Sequence, residues 1–159
     1  MKIEIIETKN IKYFLPLFKE LTEFGDRFLL AMLRWCGYGR ERYEPLKMWE
    51  VYIVFVDDEP AGVSGLYQNL DTPDDVFWIG WLGIRPKFRK LKISNTIMED
   101  IEKRCIDKGA TEIRVNTDDW NKVALSLYHK FGYREVGYAF NMNIKGQYDP
   151  TDVVLVKKI

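Results

Sequence analysis

Asn121 and Tyr128 stand seven residues apart in the run Asn121-Lys-Val-Ala-Leu-Ser-Leu-Tyr-His-Lys-Phe-Gly-Tyr133. Seven residues make two helical turns, so on a helix the two share a face with Ala124 between them. The amide can satisfy a polar ligand, the phenol can donate a proton, and the alanine leaves room for something lying across the helix. A helix-capping asparagine and a core-packed tyrosine would use the same residues without any ligand. A second candidate is the basic stretch Lys87, Arg89, Lys90 and Lys92, between Pro86 and Asn95. A helix opening there would offer free N–H groups and the positive end of its dipole to a phosphate, with Ser94 or Asn95 capping it or donating to the anion. A solvated basic turn is the simpler use. The third is Gly80 and Gly83 inside Phe77-Trp-Ile-Gly-Trp-Leu-Gly-Ile84. Glycines within a strand mark a bulge, a close ligand approach, or relief of crowding, here beside Trp78 and Trp81.

The elements that must carry these residues follow from periodicity. Ile3 to Glu7 alternate as a first strand. Asn10 caps a predicted helix with apolar residues Ile11, Phe14, Leu15, Phe18 and Leu21, and Asp26 caps a second through Phe28, Leu29, Met32 and Leu33. The glycines and Pro45 predict a loop from Cys36 to Pro45. Val51–Val56 and Ala61–Tyr67 form a hairpin around Asp57-Asp-Glu-Pro60, and Gln68 to Asp75 is a loop. Val76–Ile84 is the strand with the glycines. Ile93, Ile97, Ile101 and Cys105 line one helical face, and Gly109 ends that helix. A strand over Glu112–Thr117, a helix over Asn121–Lys130 stopped near Gly132, and strands over Tyr133–Asn141 and Asp152–Val156 complete the chain. This order predicts an α/β (α+β) fold, a mixed sheet with helices on both faces, in a single domain over residues 1–159.

Composition narrows the function. The 159 residues are 47% hydrophobic and 30% charged, enough for a packed core, and Lys plus Arg equals Asp plus Glu at 24 each. Zero net charge removes the bulk attraction on which nucleic-acid binders rely. The N-terminus interleaves charge with apolar residues, unlike a signal peptide, and no run is long enough to span a membrane. Cys36 and Cys105 follow no metal or redox spacing and read as reduced thiols of a cytoplasmic protein. His129, the only histidine, cannot by itself build a histidine metal site, so no metal is expected. The aromatic content of 14% supplies material for a homodimer interface.

Taken together, these residues resemble the GNAT superfamily of acyl-CoA-dependent N-acyltransferases. The family's pyrophosphate motif, Q/R-x-x-G-x-G/A after a proline, is matched at Pro86 and Arg89, with Lys92 and Ser94 where glycines are usual. Its later motif, N-x-x-A-x-x-L-Y-x-x-x-G-F/Y, is matched at Asn121, Ala124, Leu127, Tyr128, Gly132 and Tyr133, and Pro60-Ala-Gly62-Val resembles its third-strand opening. The resemblance covers roughly residues 50 to 140. It implies a central, mostly antiparallel sheet and acetyl-CoA as co-substrate. The pantetheine would lie along the backbone of Leu82, Gly83 and Ile84, and the pyrophosphate on Arg89, Lys90, Lys92, Ile93, Ser94 and Asn95. Asn121 and Ala124 would face the pantetheine, and Tyr128 would protonate the departing thiolate. The acceptor implied is a small-molecule or peptide amine, lined by the two N-terminal helices and by Trp35, Tyr38, Tyr43 and Trp49. The strand from Phe77 to Ile84 carries no carboxylate where relatives often place a base, which leaves Asp118, Asp119 or Asp75. The alternative is a catalytically silent domain of the same fold that binds acyl-CoA or a protein partner.

Overall fold

The computed structural model describes residues 1–38, 46–142 and 149–159, without the side chain of residue 23. Seven strands form one sheet in the order β1-β2-β3-β4-β5-β7-β6, with β1 Ile3–Glu7, β2 Leu46–Val56, β3 Glu59–Asn69, β4 Val76–Ile84, β5 Glu112–Asp118, β6 Arg134–Tyr138 and β7 Asp152–Lys158. Every pairing is antiparallel except β4 with β5. Helices α1 (Leu15–Phe18) and α2 (Gly25–Trp35) precede β2, α3 (Ile93–Asp107) joins β4 to β5, and α4 (Lys122–Lys130) follows β5. The predicted α/β class and element order hold.

The differences have local causes. The first helix is broken into a 3₁₀ turn at Ile11–Tyr13, the four-residue α1 and a second 3₁₀ turn at Thr22–Phe24. Pro16, without an N–H, sits in the opening turn of α1, where such a residue is tolerated, so the chain restarts its helix there. Asp26 is not the cap of α2 but lies in its first turn, where a carboxylate still favours the dipole. The β2–β3 hairpin turns on Asp57 and Asp58 alone, both at positive φ (47° and 66°), as a two-residue hairpin turn requires. That tight turn leaves Glu59 and Pro60 in the strand. The predicted sixth strand stops at Tyr138, because a register shift at Gly137 (φ 151°) turns the chain into a 3₁₀ segment, Ala139–Met142. The predicted loop from Cys36 to Pro45 lies mostly outside the described residues.

Alternation along the strands builds a core on each face. On one, Phe77, Ile79, Ile113, Val115, Val153 and Leu155 meet Ile97, Met98 and Ile101 of α3 and Leu125 and Tyr128 of α4. On the other, Val51, Ile53 and Val63 meet Phe14, Leu17, Phe28, Met32 and Trp35 from the N-terminal helices. Glycines admit the largest of these side chains: a Cβ on Gly65 would stand 2.6 Å from Trp35 Cζ3 and 2.9 Å from the Glu50 carbonyl, and one on Gly80 would stand 2.9 Å from Trp35 Cη2. Trp35 therefore occupies a notch in β3 and β4. Gly65→Ala overfills that notch against backbone as well as ring, and should lower stability by about 2 kcal/mol. Urea unfolding should show an earlier midpoint at unchanged slope.

Candidate active site

The parallel pair β4–β5 touches over only Val76–Trp78 and Glu112–Arg114. Beyond Trp78 the strands part, so the middle of the sheet opens at their carboxyl ends, where α3 and α4 begin. In sheets of this kind ligands bind outside the carboxyl ends of parallel strands. At the opening β4 is irregular. Val63 pairs with Gly83 and Gly65 with Gly80, so Trp81 and Leu82 oppose the single residue Ser64. Trp81 takes φ 54°, a left-handed conformation that a bulky residue rarely adopts. This bulge turns both Gly80 and Trp81 towards α2, and Leu82 and Ile84 towards α3. Gly80 and Gly83 flank it. Gly83 leaves its side-chain space to Phe24 and Leu21 (2.6 and 3.0 Å from a Cβ placed there), so its missing side chain serves helix packing.

On the α3 face the basic turn forms an open cradle. Lys90 (φ 67°) and Lys92 (φ 61°) are both left-handed, and Lys92 is the N-cap of α3. Lys92 thus holds the backbone shape for which glycine is ordinarily used, with its side chain exposed. Asn95 N–H donates to the Lys92 carbonyl at 3.1 Å, and among the described residues the N–H groups of residues 90–94 donate to no backbone carbonyl. Five such donors at a helix start make a seat for a phosphate. Ile93 is buried at 1%, so only its backbone is on offer. Arg89 folds back, its Nε donating to the Ile84 carbonyl at 2.8 Å, and Asn95 Oδ1 accepts from Lys130 Nζ at 3.0 Å, tying α3 to the end of α4.

Asn121 caps α4, its Oδ1 accepting from the Ala124 N–H at 3.2 Å. The capping reading is therefore correct for its oxygen, while the amide NH₂ is left to other partners. Tyr128 is 5% exposed with its ring 6.0 Å from that of Tyr133. No hydrogen bond reaches its hydroxyl among the described residues, and burial raises its pKa above a phenol's ordinary 10, so it keeps its proton.

The carboxylates sort by position. Asp75 accepts from Thr111 Oγ1 at 2.6 Å, beside the first residue of β4 and so at the end of the sheet away from the opening, which removes it as a base. Asp119 accepts from the Tyr138 hydroxyl at 3.0 Å. Asp118 and Asp152 are register partners on β5 and β7. Their neighbours Val115 and Val153 face α3 and α4, so alternation puts both carboxylates on the α2 face. Asp149 joins them, all three oxygens lying within 4.8 Å, and Thr151 Oγ1 donates to Asp118 and Asp149 at 2.6 and 2.8 Å. Burial, then the charges of Asp118 and Asp149, raise Asp152 from 3.8 to about 6. Sequence reasoning missed Asp149 and Asp152, since only the β5–β7 register brings them to Asp118. Of the aromatics assigned to an acceptor pocket, Trp35 is taken up by its notch and Trp49 donates Nε1–H to the Trp35 carbonyl at 3.1 Å. Tyr38 is exposed, and Tyr43 lies outside the described residues.

Residues 18–133 match the model of the acetyltransferase (GNAT) family. The chain belongs to that family. It is also similar to a thialysine N-epsilon-acetyltransferase of Caenorhabditis elegans, 32% identical over 88 residues. That match covers 52% of each chain, so it spans about half the length of this relative. Among solved structures, the PaiA N-acetyltransferase of Thermoplasma acidophilum in complex with coenzyme A shares the fold with a TM-score of 0.70 at 18% identity, over the whole of both chains. An acetyltransferase of this family from Elizabethkingia anophelis with acetyl-CoA bound shares it at 0.65 and 19% identity, over 99% of this chain and 98% of that one. No helix among the described residues is long and apolar enough to cross a membrane.

Because folding raises the Asp152 carboxyl, the bound proton favours the folded state; that stabilisation is complete below about pH 4 and is lost as pH rises through about 6. Asp152→Asn mimics the protonated form. It should leave the melting temperature unchanged near pH 4 and raise it near pH 8, a gain in stability of about 1 kcal/mol once solvent screening of this half-buried group is allowed for.

Proposed function

We propose that the chain transfers the acetyl group of acetyl-CoA to an amine by direct attack within a ternary complex. The observation that carries this reading is the parted β4–β5 pair, with free N–H donors and an unpartnered tyrosine hydroxyl on one face and carboxylates on the other. The residues fit the co-substrate: the donors at 90–94 suit a pyrophosphate, exposed Lys90 and Lys92 add charge, and Ala124 leaves room along α4. Left-handed Lys92 reproduces the turn that a glycine would give, which weakens the case for a silent domain.

Acetyl-CoA supplies an electrophilic thioester carbon. The amine attacks from the α2 face, where Trp81, Asp118 and Asp152 lie, because the other face is covered by α3 and α4. Asp152, sharing a proton field with Asp118, accepts the amine proton directly or through water; a base near 6 is half of a pair whose apparent values belong to both carboxylates. The N–C bond forms and the C–S bond breaks, the backbone N–H near Leu82 donating to the developing oxyanion. Tyr128 donates its hydrogen bond and then its proton to the thiolate sulfur. The acceptor is an amine that is cationic in solution and attacks once it has lost its proton, consistent with the carboxylates on its side and with the name of the nematode relative.

Acetyl-CoA should raise the melting temperature, since it binds the folded chain alone. A panel of thialysine, lysine and a lysine-containing peptide, followed by thiol release, tests the transfer itself; no release with any amine would sink the reading. Tyr128→Phe keeps the ring and loses the donor. A thiol near ~8.5 leaves tolerably well unaided, so the loss should fall near the lower end of general acid catalysis, about 10- to 100-fold in kcat, with acetyl-CoA affinity little changed. Full turnover in this variant would reduce Tyr128 to a packing residue.

A further inference from the structure

Three positions of β4 and its continuation face the N-terminal segment in succession. Trp81 packs against Phe24 and Phe28 with ring centroids 5.5 and 5.7 Å away, and Gly83 makes room for Leu21 and Phe24. Arg85, only 8% exposed, reaches Glu20 with both arms of its fork: Nε to Oε2 at 2.7 Å and Nη2 to Oε1 at 2.8 Å. Its remaining nitrogen, Nη1, holds the Pro60 carbonyl at 2.7 Å and Glu59 at 3.0 Å on the hairpin. The contacts of Trp81 and Gly83 are apolar and non-directional. The fork to Glu20 is directional and fixes the register of the segment along the strand.

That register matters because the segment cannot set it alone. From Ile11 to Phe24 it consists of two 3₁₀ turns and a four-residue helix, too short to be stable apart from what they pack on. It leads directly into α2, whose Phe28 packs on Trp81 at the bulge, and whose Arg27 adds to the Thr151 hydrogen bonds in lowering Asp149 and opposes the rise of Asp152. We propose that Arg85 is a positioning residue that latches residues 20–28 onto β4 and so sets the acceptor side of the cleft; this rests on the acyl-transfer reading. The phosphate cradle is held separately, by Arg89 on the Ile84 carbonyl and by the bond between Asn95 and Lys130. Loosening the latch from the Glu20 side therefore acts on the amine and not on acetyl-CoA.

Glu20→Gln is the test, because the Glu20 side chain is 38% exposed and its loss leaves the core and the hairpin contacts of Arg85 in place. With whichever panel amine the wild-type chain acetylates best, KM for the amine should rise about three- to tenfold, while KM for acetyl-CoA and kcat stay within about twofold. Glu20→Ala should do the same, and Glu59→Gln, which removes the other carboxylate from Arg85, should leave the amine KM where it was. An unchanged amine KM in both Glu20 variants, an equal rise in both KM values, or an equal effect of Glu59→Gln would overturn the latch. Absence of transfer in the wild-type chain would instead remove the acyl-transfer reading, and the latch with it.

Discussion

The parting of β4 from β5 is the constraint from which the rest of the architecture follows. Three pairs of residues hold two parallel strands together at one end. Parallel strands need a crossover between them, and α3 supplies it. Because pairing stops early, an otherwise continuous sheet has two unpaired inner edges, which a folded protein must cover or use. Here both crossover helices open beside the gap on one face, and α2 packs on β2, β3 and β4 on the other. The gap therefore has main-chain donors beside it on one face and carboxylates on the other.

The bulge at Trp81 and the turn at Lys90–Lys92 show how backbone strain is distributed around that gap. Left-handed non-glycine residues each cost on the order of 1 kcal/mol or more, and three of the five among the described residues lie at the gap. The other two form the tight hairpin turn. Trp81 is held in its strained state by Phe24 and Phe28, and Lys92 by the first turn of α3. Strain is concentrated where the chain must expose main-chain donors and re-aim side chains, and the surrounding packing over-determines it.

Much of this was legible in the sequence. Periodicity located all seven strands and the two long helices of the α3–α4 face, because their apolar positions repeat cleanly and Gly109 and Gly132 end them at positive φ (82° and 87°). The shared face of Asn121 and Tyr128 followed from spacing alone. What spacing could not show were relations created by register. Asp152 owes its raised pKa first to burial and then to the charge of a partner 34 positions away on a neighbouring strand. The N-terminal helix looked continuous since Pro16 is compatible with an opening turn, and only packing reveals where that turn falls. For Gly83 a bulge, a ligand approach and relief of crowding all stayed open, because a sequence records that a side chain is missing but not which neighbour fills the space.

The seating of Trp35 between Gly65 and Gly80 also limits the order in which this protein can change. Neither glycine can readily acquire a side chain while the indole is present, since a Cβ on either would press on the ring, and at Gly65 on the Glu50 carbonyl as well. The indole, in turn, can shrink first only through an intermediate that leaves a void across two strands. Mutational routes between this core and a differently packed one must therefore cross a less stable ancestor or change several positions together. The three residues, separated by up to 45 positions in the chain, form one heritable unit.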